Sequence, residues 1–115
     1  MSVKIYHNPR CGKSRETLQL LKQQGIEPEI IEYLKNPPSA AELEDILQKL
    51  AMKPRDLMRK KEAAYKANGL NDEALDQQAL IQGMVSNPIL IERPIVLANG
   101  KAAIGRPPEA VLAIL

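Results

Sequence analysis

The fold follows from one stretch of the chain, residues 3–22, which reads VKIYHNPRCGKSRETLQLLK. It opens with a short β-prone run, Val3–Tyr6, and continues after a turn into Glu16–Lys22, which has the composition of a helix. The sequence therefore places Cys11, the only cysteine of the chain, in a strand-to-helix turn. The first N–H groups of a helix have no partner within it and carry partial positive charge, so a thiolate at this position is stabilised.

The neighbours of Cys11 also favour the thiolate, which is the nucleophilic form of cysteine. Three basic side chains and a hydroxyl that can donate to sulfur surround it: Arg10, Lys13, Arg15 and Ser14. His7 is placed to donate to the thiolate or to position nearby groups, although a lone histidine is more often structural. The alternative is a small buried core cysteine. We interpret Cys11 as a nucleophile.

Composition restricts the classes of protein to which the chain can belong. Its 115 residues fit a single domain, residues 1–115, large enough for a hydrophobic core. The 16 basic and 14 acidic residues are interspersed, so no nucleic-acid binding is expected. One cysteine and one histidine exclude an internal disulfide and argue against a zinc site, so no metal is predicted. No signal peptide and no membrane-spanning run is apparent; we expect no membrane association and a cytoplasmic location.

The residues after the first helix predict a parallel β-α-β unit. Gly25 is a suitable end for that helix, and Pro28–Tyr33 has the pattern of a second strand. Ser39 and Glu42 then have the spacing of a capping box, which opens a second helix. The pattern stays helical but broken up to Asn87, so we predict a helical insertion at about 39–87.

The last part of the chain predicts a hairpin and a helix. Asn99-Gly100 joins Pro94–Ala98 to Lys101–Ile104 and is typical of a type I′ turn. Pro108 is suited to the first position of a helix over Glu109–Leu115. The order β-α-β, helices, β-β-α is that of an α/β thioredoxin-like fold with a mixed four-stranded sheet and a helical insertion. In that fold a cis-proline precedes the third strand, and Pro94 occupies the matching place.

Three arginines at the edges of predicted elements are candidates for binding an anion beside Cys11: Arg59, Arg93 and Arg106. A guanidinium offers a rigid fork of donors that matches a tetrahedral oxyanion. The alternative for each is a solvated surface side chain.

The chain resembles a known family in several spaced segments, which are distributed over essentially the whole chain. They are His7–Arg15, Tyr33–Pro38, Leu57–Lys61, Asn87–Val96 and Gly105–Glu109. In these segments the sequence is similar to the glutathione- and glutaredoxin-coupled arsenate reductases of the ArsC/Spx superfamily. It resembles the short chromosomal members more than the plasmid-type enzymes, which carry a C-terminal extension.

The resemblance implies an enzyme that reduces arsenate to arsenite. It implies Cys11 as the nucleophile, with the positions of His7 and Ser14 associated with activating the thiol. It assigns oxyanion binding to Arg59, Arg93 and Arg106. It also implies that no cofactor stays bound, that glutathione is the co-substrate and that glutaredoxin is the partner. Phosphate or sulfate is expected to compete with arsenate.

Two other functions remain open on the sequence. One is a glutathione-dependent thiol reductase of the same fold that acts on a different substrate. The other is a transcriptional regulator like the Spx proteins, which bind RNA polymerase. Many of those regulators carry Cys-x-x-Cys as a redox switch, whereas here Ser14 stands at the second position.

Overall fold

The computed structural model describes residues 2–115, which divide into two compact units. One unit comprises the residues up to 36 together with 93–115, and the other comprises residues 37–92. The elements in chain order are β1 (Val3–His7), α1 (Gly12–Gln23), β2 (Glu29–Glu32), α2 (Ala40–Leu50), α3 (Pro54–Leu57), α4 (Ala63–Ala67), α5 (Gln77–Ser86), a 3₁₀ helix (Pro88–Leu90), β3 (Ile95–Ala98), β4 (Lys101–Ile104) and a final 3₁₀ helix (Pro108–Ile114). Within residues 2–115, no helix is long and apolar enough to cross a membrane. The assignment of residues 1–115 to a single domain stays a prediction.

The first unit contains the mixed four-stranded sheet that the sequence predicts, in the order β2-β1-β3-β4. Strand β1 runs parallel to β2 and antiparallel to β3, and β4 runs antiparallel to β3. His7 is in register with Glu32, Tyr6 with Ile95, and Ile95 with Ile104. The ends of β1, β2 and β4 and the start of β3 therefore share one edge of the sheet.

Helix α1 begins four residues earlier than the sequence predicts. It starts at Gly12 rather than Glu16, with Cys11 as its N-cap. The turn before it is already closed, because the Cys11 N–H donates to the Asn8 carbonyl at 3.0 Å. Its last helical residue is Gln23, and Gln24 rather than Gly25 is the C-cap; Gly25 follows with a positive φ of 77°, which suits a residue without a side chain.

The predicted hairpin and its turn are confirmed. Asn99 and Gly100 both have positive φ, 55° and 73°, as a type I′ turn requires. The predicted cis-proline is also confirmed, since the Arg93–Pro94 peptide bond is cis. The Arg106–Pro107 bond is cis as well, a feature not predicted from the sequence.

The prediction of an α-helix over Glu109–Leu115 was wrong in the type of helix. The segment Pro108–Ile114 is a 3₁₀ helix, with proline at its first position as predicted. Its buried residues, Pro108, Val111 and Ile114, recur every three positions. A 3₁₀ helix has three residues per turn, so this spacing keeps all three side chains on its buried face.

The core of the first unit lies between the sheet, α1 and the final 3₁₀ helix. Its buried members come from β1, α1, β3 and the final 3₁₀ helix: Val3, Ile5, Leu21, Val96, Ala98, Val111 and Ile114. Alternate residues of β1 and β3 point to the same face, which explains the spacing within each strand. This packing fixes the edge of the sheet at which β1 ends and the turn to α1 begins.

The second unit contains the helical insertion that the sequence predicts at about 39–87. Ser39 and Glu42 form the predicted capping box: the Ser39 hydroxyl accepts from Glu42 N–H at 3.1 Å, and the Glu42 carboxylate accepts from Ser39 N–H at 3.0 Å. Asp76 caps α5 by accepting from the Ala79 N–H at 2.8 Å. Helices α2 to α5 make up most of this unit.

Candidate active site

The sheet register brings three of the predicted site residues to one edge. Cys11 follows the end of β1, Arg93 lies just before β3, and Arg106 lies just after β4. The pairing of Tyr6 with Ile95 and of Ile95 with Ile104 aligns these three places, although the residues are far apart in the sequence. The site is therefore a product of the strand pairing.

The turn between β1 and α1 holds the cysteine at the helix N-terminus. Asn8 fixes this turn: its carbonyl accepts from Cys11 N–H at 3.0 Å, and its side-chain oxygen accepts from Arg10 N–H at 3.0 Å. Its own N–H donates to the Ser14 hydroxyl at 3.0 Å. Cys11 is only 8% exposed. These bonds fix the main chain around Cys11 at the start of α1.

Arg106 contacts the sulfur directly. Its Nη2 lies 3.6 Å from Cys11 Sγ, within hydrogen-bond distance for sulfur. The guanidinium is oriented by a second bond, because its Nε donates to the Arg93 carbonyl at 2.8 Å. Arg93 is half-buried, with its Nε and Nη1 atoms shielded from solvent. Two of the three predicted arginines therefore belong to the surroundings of Cys11.

These groups lower the pKa of Cys11 below its ordinary value. Burial acts in the opposite direction and is the largest single effect, since it disfavours the charged form. The Ser14 N–H, the Arg93 charge, the Lys13 N–H and the Arg106 charge together outweigh it. The thiolate is stabilised by both the helix N-terminus and the two arginines.

Ser14 and His7 form a buried pair beside the thiol. The Ser14 hydroxyl lies 2.6 Å from His7 Nδ1, and both side chains are shielded from solvent. The sequence suggested that this hydroxyl donates to sulfur, but the effect of Ser14 on the thiol comes through its main-chain N–H. Burial lowers the pKa of His7, so the ring is predominantly neutral at pH 7.

The basic residues next to Cys11 in the sequence act differently from the prediction. The charges that lower the cysteine pKa come from Arg93 and Arg106, and Lys13 contributes through its main chain. The side chains of Arg15 and Lys13 have other partners: Arg15 donates to the Pro9 carbonyl at 3.1 Å, and Lys13 pairs with Glu16 at 3.7 Å.

The arrangement can bind an anion and attack it. A stabilised thiolate is a nucleophile, and the two adjacent guanidinium groups offset its repulsion of an incoming anion. Among residues 2–115, no group of three or more His, Cys, Asp or Glu side chains is placed to hold a metal ion.

In a comparison with known protein families, residues 6–114 of the chain match the ArsC family. The chain belongs to the ArsC family. It is 62% identical over 114 residues to the Escherichia coli K12 protein called uncharacterized protein YfgD, covering 98% of this chain and 96% of that protein. It is 51% identical to an arsenate reductase of Neisseria meningitidis serogroup A over 114 residues, 98% of this chain and 97% of that protein.

A solved structure described as arsenate reductase from Vibrio cholerae is similar to this ArsC-family chain over its full length. The TM-score is 0.97 at 54% identity, covering 100% of this chain and 98% of that one. The α/β, thioredoxin-like fold predicted from the sequence is confirmed by this likeness and by the sheet order.

Arg59 of this ArsC-family chain lies in the second unit, after α3. Its Nη1 pairs with Glu62 Oε1 at 2.6 Å, and its main-chain N–H donates to the Leu90 carbonyl at 2.7 Å. The oxyanion-binding role that the sequence suggested for Arg59 stays a prediction.

Gly105 also shapes the site, although its role was not predicted from the sequence. It lies between β4 and Arg106, and its N–H donates to the Pro94 carbonyl at 3.0 Å. A Cβ atom here would lie 2.8 Å from Pro94 Cγ and closer still to the Thr17 hydroxyl of α1. Only glycine permits this approach. The signal was the glycine itself, which directly precedes a predicted site arginine.

Proposed function

We propose that this chain reduces arsenate to arsenite, with Cys11 as the nucleophile. The observation that carries the proposal is the contact of Arg106 Nη2 with Cys11 Sγ at 3.6 Å, at the N-terminus of α1 and with the charge of Arg93 acting on the same sulfur. Membership of the ArsC family and the similarity to relatives named arsenate reductases support the choice of substrate.

The first step joins arsenate to the enzyme. Arg93 and Arg106 hold the arsenate anion, and the Cys11 thiolate attacks arsenic. A sulfur–arsenic bond forms and an arsenic–oxygen bond breaks, with the oxygen leaving as water after protonation. Arsenic is still in its +5 state in this adduct, so the step needs no reductant.

The second step needs a thiol from outside the chain, because Cys11 is the only cysteine. We propose glutathione: its sulfur bonds to the Cys11 sulfur, and the sulfur–arsenic bond breaks with its electron pair staying on arsenic. Arsenic leaves in the +3 state as arsenite, and the two sulfurs are oxidised to a mixed disulfide. Glutaredoxin with a second glutathione then reduces this disulfide. We propose that phosphate and sulfate bind the same arginines and compete with arsenate.

The test is arsenite formation by the purified protein with arsenate, glutathione, glutaredoxin and NADPH-driven glutathione reductase. We expect turnover that is lost in Cys11→Ser, whose melting temperature should stay close to that of the unaltered chain. Equal turnover in Cys11→Ser would contradict the nucleophile assignment. An unreactive protein with a readily alkylated Cys11 would instead favour a glutathione-dependent thiol reductase acting on a different substrate. The cytoplasmic location, where thiols stay reduced, remains a prediction.

A further inference from the structure

A cavity of about 320 Å³ lies beside the turn that carries Cys11. Its lining comes from two segments: the turn itself, residues 7–10, and Glu32, Leu34 and Lys35, at and just after the end of β2. This volume is at the lower end of the range for small-ligand sites. The arsenate-binding step uses Arg93 and Arg106 and assigns no role to this cavity.

The cavity and the two arginines flank β1 from different sides. The sheet order is β2-β1-β3-β4, so the cavity belongs to the β2 side of β1. Arg106, which contacts the Cys11 sulfur, and Arg93 lie next to β4 and β3, on the other side of β1. The turn that holds the sulfur is thus bordered by a cationic group on one side and by an open cavity on the other.

The charges of the cavity suit a ligand that carries both signs. Arg10 and Lys35 are exposed cations, one from each of the two segments that line the cavity. Glu32 lies 3.7 Å from Lys35, but their side chains are 41% and 76% exposed, and such a pair is weak and easily exchanged. Carboxylates can therefore take the cations, while an ammonium group takes Glu32. The exposed side chain of Leu34 adds an apolar contact.

The resolving step requires a thiol on this side. A thiolate that attacks sulfur approaches in line with the bond that breaks, from the side opposite the leaving group. If Arg93 and Arg106 hold the arsenic, the attacking sulfur must approach the Cys11 sulfur from the side that faces away from these arginines. Arg10 lines the cavity and is the neighbour of Cys11 in the chain, so a peptide bound at Arg10 is long enough to span the distance between these two residues.

We propose that this cavity binds the peptide thiol that resolves the Cys11 adduct, with its carboxylates on Arg10 and Lys35 and its ammonium group on Glu32. This chemistry is that of glutathione, and the inference rests on the proposed function in taking the resolving thiol to be external. The bound thiol forms a bond to the Cys11 sulfur, the sulfur–arsenic bond breaks, and its electron pair leaves with arsenic.

The experiment uses disulfides, so that it does not depend on arsenate. Reduced protein is mixed with glutathione disulfide or with uncharged bis(2-hydroxyethyl) disulfide, and the rate of mixed-disulfide formation at Cys11 is followed by mass spectrometry. The variant is the double substitution Arg10→Ala and Lys35→Ala, both at exposed positions. The matched control is Lys101→Ala, an exposed lysine at the hairpin end of β4, the opposite end from the site.

We expect the double variant to react about tenfold more slowly with glutathione disulfide, because two cation–carboxylate contacts are lost. Its rate with the uncharged disulfide should change less than twofold, and Lys101→Ala should match the unaltered protein with both reagents. Equal slowing with both disulfides, or no slowing with either, would overturn the proposal. If the protein does not turn over arsenate but shows the expected selectivity for glutathione disulfide, the proposed substrate is refuted. The assignment of the cavity to the peptide thiol would still hold.

Discussion

At the scale of single residues, the chemistry depends on opposing effects at one sulfur. Burial of Cys11 opposes ionisation, and two main-chain N–H groups together with the charges of Arg93 and Arg106 reverse the balance. The same low solvent access that penalises the thiolate also strengthens its interaction with a nearby guanidinium. Arg106 is therefore more than an anion ligand, since it both contacts the sulfur and acts on its ionisation.

We predict that Arg106→Ala raises the pKa of Cys11. The folded-state pKa lies below the ordinary cysteine value, so the thiolate persists to lower pH than in the unfolded chain; removing the charge moves the midpoint upward. The measurement is the pH dependence of iodoacetamide alkylation. Lys13→Ala is the control, because Lys13 acts on the thiol through its N–H, which alanine keeps. An unchanged midpoint in Arg106→Ala would show that Arg106 does not tune the thiol.

At the scale of elements, the site is held by the close approach of the loop after β4 to α1. Gly105 packs against Thr17 and Pro94 with no room for a side chain. Thr17 is fully buried, and its hydroxyl donates to the Lys13 carbonyl at 2.8 Å. The residue that follows Gly105 is Arg106, so the position of this arginine relative to Cys11 depends on the fit between loop and helix.

We predict that Gly105→Ala lowers kcat/KM for arsenate by about 10- to 100-fold, because small displacements of a catalytic contact are costly. The overpacking itself should cost about 1–3 kcal/mol of unfolding free energy. Adding Thr17→Ala removes the closest clash and should restore part of the rate. A loss of stability alone would not predict this rescue, because Thr17→Ala also removes a hydrogen bond. A double variant slower than Gly105→Ala would contradict this explanation.

At the scale of the whole molecule, predictability from sequence depended on how local each signal was. The turn at Asn99-Gly100 and the capping box at Ser39 were predictable because neighbouring residues determine them. The helix type after Pro107 was not, since it follows from packing at every third residue. The cations that act on Cys11 were only partly predictable: the Lys13 side chain pairs with Glu16, and strand pairing brings in Arg93 and Arg106.

The role predicted for Arg59 concerns the second unit and has a kinetic test. We predict that Arg59→Ala raises the KM for arsenate about tenfold, as loss of one charged anion contact would. The variant should stay folded, because the side chain pairs with Glu62 in a partly exposed position, and such pairs contribute about 0–1 kcal/mol. Lys60→Ala removes the same charge from the adjacent exposed position and serves as the control. Equal effects of both substitutions on KM would indicate a general effect of charge, and no effect of Arg59→Ala would assign this arginine a structural role.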